Sequence, residues 1–60
     1  MRLPQYQVYR SAGFDWRWRL RAANSEIVAS GEGYTRRQDA VRGVNAHRRA
    51  ALRATVVFVG

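Results

Sequence analysis

Three arginines, Arg17, Arg19 and Arg21, stand at every second position of one short segment, alternating with Trp16, Trp18, Leu20 and Ala22. In an extended chain such residues project from one side about 6–7 Å apart. That spacing is comparable with successive phosphates along one nucleic-acid strand, so a ladder of contacts to DNA or RNA is geometrically open to them. Phosphate contacts supply affinity and position rather than sequence choice. Tyr9, which alternates with Gln7 in the preceding segment, would offer a ring for base stacking beside the ladder. The plainer alternative is that the arginines solvate the open face of a sheet and oppose wrong edge pairing. Arg36, Arg37, Arg42, Arg48, Arg49 and Arg53 form a second basic group, with the same choice between partner and solvent.

Other reactive types are sparse. His47 stands near an apolar stripe with no acid three or four positions away; the nearest, Asp39, lies two helical turns earlier. General acid–base work needs a partner and a substrate within hydrogen-bond reach, so His47 reads as a boundary or interface residue. Asp15, Glu26, Glu32 and Asp39 form no visible pair for glycosidic or two-metal chemistry. Gly31-Glu32-Gly33 lacks the lysine and hydroxyl companions of a phosphate loop. With no cysteine in the chain, disulfides, thiolate chemistry and cysteine metal sites drop out. No enzyme activity, cofactor, metal or small-molecule substrate is expected.

The 60 residues carry a formal charge of +7, from eleven basic residues, all arginine, against four acids. A field of that strength on so small a body attracts polyanions in general. One domain is the most such a chain can make, and it buries only about 60% of its unfolded surface. Small cores need a staple, and without disulfides or a metal the remaining one is a partner. No apolar run approaches the roughly 20 residues of a membrane span, and Met1-Arg2-Leu3-Pro4-Gln5 has no signal-type apolar core behind it. The expected location is cytoplasmic.

The elements follow from periodicity. Residues 5–10, rich in aromatic and branched types, predict a first strand. The period of two over residues 16–22 predicts a half-buried second strand, with Trp16, Trp18 and Leu20 inward and the arginines in water. Asn24 suits a tight hairpin through its tolerance of left-handed backbone, and residues 27–31 return as a third strand. Gly31-Glu32-Gly33-Tyr34 then leads off the sheet. Tyr34 is either an anchor packed under that turn or an exposed recognition ring. Thr35 with Gln38 reads as a capping box opening a helix over about 36–52. Val41 and Val44 on its apolar stripe are the residues expected to cover the tryptophans, completing a core of Trp16, Trp18, Leu20, Val41 and Val44. Gly43 costs about 1 kcal/mol relative to alanine in a helix interior; close approach of a backbone or a large aromatic ring would explain it. Residues 55–59 read as a last strand, apolar on both faces through Val56, Val57, Phe58 and Val59. Left open it would invite aggregation, and another chain is a ready source of cover. The expected class is α+β: an antiparallel sheet with one helix on one face.

The run Trp16-Arg17-Trp18-Arg19-Leu20-Arg21-Ala22-Ala23-Asn24 resembles the YegP-like family of small bacterial and archaeal domains. Glu26-Ile27-Val28-Ala29-Ser30, Glu32-Gly33-Tyr34-Thr35 and the helix containing Gly43-Val44 extend the likeness across most of the chain. The family pattern has lysine and glycine where Arg21 and Ser25 stand here. The resemblance implies a single β-β-β-α-β unit. It also implies that a one-unit chain pairs as a homodimer, with Val56, Val57, Phe58 and Val59 swapped into the partner's half. The family supplies no catalytic residues to carry over.

Overall fold

The computed structural model describes residues 3–60. Three strands, β1 (Gln5–Arg10), β2 (Trp16–Arg21) and β3 (Ile27–Tyr34), precede one helix, α1 (Arg37–Arg53). The strands form an antiparallel sheet in the order β1-β2-β3, so the alternating segment is the central strand. The α+β class with a helix packed on a three-stranded sheet is as the periodicities require.

Both hairpins turn in the same way. Ser25 N–H donates to the Ala22 carbonyl at 2.9 Å, and Ala22 N–H to that of Glu26 at 2.8 Å. Phe14 N–H donates to Ser11 O at 3.0 Å, and Ser11 N–H to Asp15 O at 2.9 Å. Each is a three-residue loop whose last residue takes the left-handed conformation: φ is 70° at Ser25 and 68° at Phe14. The left-handed residue is therefore Ser25 and not Asn24. Asn24 instead uses its side chain, whose Oδ1 accepts the Glu26 amide at 3.1 Å.

Register divides the sheet into two faces. Val8 pairs with Trp18 and Tyr6 with Leu20, and across β2 the partners of Trp16, Trp18 and Leu20 are Tyr34, Gly31 and Ala29. These residues look toward α1. Gln5, Gln7 and Tyr9 pair with Arg21, Arg19 and Arg17, and Ser30 lies across from Arg19; they share the opposite, open face. Beyond the expected end at Gly31, β3 continues to Tyr34. Its register with β2 shifts between Trp16 and Trp18, and Gly33 has φ 83° there. The glycines accommodate an irregularity within the strand instead of ending it.

The core is small. Only Trp18, Ala40 and Val44 are buried among the apolar residues described, at 6%, 0% and 8% exposure. Trp16 and Leu20 are half-buried, and Val41, expected in the core, is exposed at 39%. Gly43 faces the Trp18 indole and the Tyr34 ring, and Ala40 and Val44 are the buried residues of the helix. Val41, one position round the helix from Ala40, is turned off the sheet. An added Cβ at Gly43 would stand 2.9 Å from Tyr34 Cζ and 3.0 Å from Trp18 Nε1, so close aromatic approach is the physical reason for glycine there. The helix begins one residue later than the capping box placed it. Arg36 is the N-cap, with extended backbone and no side-chain cap bond, so Thr35 does not cap.

Residues 54–60 form no strand within the chain, which corrects the expectation for 55–59 in an isolated copy. A strand needs a neighbouring backbone to pair with, and after the Ala54 amide closes on Ala50 O at 2.8 Å the tail meets none among the described residues. Val56, Val57, Phe58 and Val59 are 70–96% exposed, and Leu52 on the last helical turn 87%.

Candidate functional site

The open sheet face carries all three arginines of β2, as their alternation demands, but they are not equivalent. Arg17 Nε donates to Asp15 Oδ2 at 3.2 Å, and its Nη1 lies 3.6 Å from Glu32 Oε2. Two carboxylates thus neutralise one guanidinium, and both raise the Arg17 pKa, Asp15 the more strongly. Arg19 Nε donates to Gln7 Oε1 at 2.6 Å while its guanidinium lies over the Tyr9 ring, 4.7 Å from the centroid. Arg21 Nη1 donates to the Ser25 carbonyl at 2.7 Å. The ladder is therefore held flat by its own neighbours, and Tyr9 is capped on one side by Arg19.

Asp15, which the sequence places only at a loop end, is the junction of this network. Its carboxylate accepts from Ser11 Oγ, from Arg17 Nε and, at 3.0 Å, from the Gly33 amide in β3. The Ser11 hydroxyl above all, then the Gly33 amide and the Arg17 guanidinium, hold its pKa down to about 2, against an opposing push from partial burial. A carboxyl depressed in the folded state stabilises the fold above its unfolded value of 3.8 and loses that contribution as pH falls toward about 2. Thermal midpoints recorded from pH 5 to pH 2 are expected to drop through this window. In Asp15→Asn they should be lower at neutral pH and fall less steeply on acidification. Parallel acid limbs for the two proteins would contradict the role given to Asp15.

On the helix side, Tyr6, Trp18, His47 and Tyr34 form one aromatic cluster. Tyr6 Oη and His47 Nδ1 share a hydrogen bond, and Trp18 Nε1 donates to Tyr34 Oη at 3.2 Å. The Trp18 ring centroid lies 5.2 Å from that of His47 and 5.8 Å from that of Tyr6. Tyr34 is an anchor under α1, not a recognition ring. His47 sits at the edge of the core with a phenol for a partner, and among the described residues no carboxylate pairs with it. These joints link residues 41 and 16 positions apart, and only register brings them together. Among the described residues no three histidine, aspartate or glutamate side chains gather to hold a metal, and no helix is long and apolar enough to cross a membrane.

A three-stranded meander closed by one helix, with an aromatic core and a basic open face, defines a small α+β domain. The family described as Domain of unknown function (DUF1508) matches residues 12–57. A UPF0339 protein of Neisseria meningitidis serogroup B is 48% identical over 40 residues, covering 67% of this chain and 71% of its own. A UPF0339 protein of Treponema denticola is 33% identical across 92% of this chain and 95% of its own. Among solved structures, the solution structure of a protein from Haloferax volcanii superposes with a TM-score of 0.81. It shares 35% identity over 98% of this chain and 100% of the other. The chain belongs to the DUF1508/UPF0339, or YegP-like, family.

Proposed function

We propose that the chain is a self-associating, non-catalytic module that exchanges its C-terminal residues with a second copy. The observation that carries this reading is the tail: four large apolar side chains, Val56 to Val59, 70–96% exposed beside a core of three buried residues among those described. Among the described residues the outer edges of β1 and β3 have no strand beside them, and an extended segment adds readily to such an edge. Complete burial of a valine or phenylalanine side chain is worth about 1.5–3 kcal/mol, whereas association costs about 4–15 kcal/mol in lost freedom. Reciprocal exchange buries two tails for a single association, which tips that balance toward the pair. Sedimentation equilibrium at micromolar concentration is expected to give twice the chain mass of 6.9 kDa. Phe58→Asp should shift the population to single chains, and a wild-type protein sedimenting as one chain would overturn the proposal.

A second reading concerns the other face. The charge of +7 and the display of Arg19 and Arg21 on the open side of the sheet support contact with nucleic acid, DNA or RNA, through phosphates. Binding that weakens steadily with rising salt is its expected signature.

A further inference from the structure

Resting on that second reading, we infer that the open face holds single-stranded nucleic acid at the Arg19–Arg21 end of β2, with a base stacked on the Arg19–Tyr9 pair. Three observations converge on this end. First, charge is unequal along the ladder: Asp15 and Glu32 occupy Arg17, whereas no carboxylate pairs with Arg19 or Arg21 among the described residues. Second, Arg19 is fixed as a plane. Its Nε is tied to Gln7 Oε1, Gln7 Nε2 in turn donates to Gln5 Oε1 at 3.0 Å, and the Tyr9 ring backs the guanidinium. Such a plane stacks an unpaired base, and the Nη groups at its rim have no partner among the described residues. Third, a groove of about 750 Å³ opens beside it, its lining including Leu3, Pro4, Gln5, Gln7 and Arg21. That volume falls within the range of ligand sites, roughly 300–1,000 Å³. Apolar Leu3 and Pro4 suit the flat side of a base, and the glutamine amides suit its edge.

A duplex keeps its bases stacked inside and offers this platform only phosphates. The geometry therefore separates a single strand from a duplex, which charge alone does not.

The test is fluorescence anisotropy with a labelled single-stranded decamer, as DNA and as RNA, and with the corresponding DNA duplex, across a salt series. The single strands are expected to bind more tightly than the duplex at equal salt. Arg19→Gln combined with Arg21→Gln should weaken them about tenfold or more, and lower the logarithmic salt slope by roughly 0.7 for each phosphate no longer neutralised. Arg48→Gln with Arg49→Gln, an equal loss of charge on the helix, should weaken them far less. On the unaltered protein, nuclear magnetic resonance should show the decamer shifting the Gln5 and Gln7 side-chain amides and the Arg19 Nε–H. That readout stands even if the double variant unfolds. Absence of binding to every probe would remove the second reading itself. Equal affinity for duplex and single strand, equal effects of the two arginine pairs, or shifts confined to α1 would overturn the placement while leaving general polyanion binding intact.

Discussion

A chain ending at Ala54 is expected to lose its cooperative thermal transition, or to melt at least 15–20 °C lower, and to sediment as a single chain if it stays folded at all. The cut retains the Ala54 amide that closes α1 on Ala50 O at 2.8 Å, so helix capping is not what it removes. It removes Val56, Val57, Phe58 and Val59, which touch little of their own chain at 70–96% exposure. Were the tail idle, its loss would leave the midpoint where it was. Were it exchanged, deletion would strip apolar cover and edge pairing from a domain with a small buried core. Domains of this class have only about 5–15 kcal/mol in total, and each kcal/mol lost shifts the midpoint by about 4–8 °C at this length. A loss of about 3 kcal/mol already accounts for the expected fall. Differential scanning calorimetry of both chains at two concentrations decides the matter, because a dimer melts higher as its concentration rises. A truncated chain that melts cooperatively at the unaltered midpoint would refute tail exchange.

The central strand was the most legible part of the fold. Trp16, Trp18 and Leu20 against Arg17, Arg19 and Arg21 is a period that only a pleated segment with one wet face satisfies, and the register bears this out residue by residue. Val41 shows where such reading stops. A stripe at spacings of three and four tells which side of a helix is apolar, but not which residue on it meets an indole. Here the close approach of Trp18 and Tyr34 leaves room only for glycine at 43, and Ala40 and Val44, not Val41, are buried. Gly31 and Gly33 show a related limit: glycine marks both the end of a strand and a bulge or close approach inside one, and composition does not distinguish them. The Asp15–Gly33 and Tyr6–His47 bonds join residues 18 and 41 positions apart. No local pattern announces them, although the recurrence of Ser11 and Asp15 four positions apart around a glycine turn was a usable hint. The arginine ladder was visible as a set, yet its division into a neutralised Arg17 and two uncompensated members depends on where Asp15 and Glu32 fold.

Gly31→Ala is expected to destabilise the domain by about 1–3 kcal/mol, the usual cost of overpacking a filled site. In an ordinary strand the same change stabilises, by about 0.5–1 kcal/mol, because alanine has less backbone freedom to lose than glycine. Gly31 has no positive φ, so backbone strain does not enter. What opposes the gain is the indole of Trp18, Gly31's cross-strand partner: an added Cβ would lie 2.7 Å from Trp18 Cε2 and 3.1 Å from Cδ1. Trp18 cannot swing clear, being 6% exposed and held by Tyr34 Oη at 3.2 Å and by the His47 ring. The sign of the measured change therefore tells which effect wins. Trp18→Phe supplies the control, since it vacates the space the Cβ would enter while forfeiting the Tyr34 bond and some packing. In that background Gly31→Ala should cost little, giving a coupling of about 1–2 kcal/mol, within the range found for residues in contact. Chemical denaturation of the four proteins of this cycle yields that coupling directly. Additive effects, or a Gly31→Ala protein more stable than its parent, would mean that glycine at 31 is not there to seat the indole.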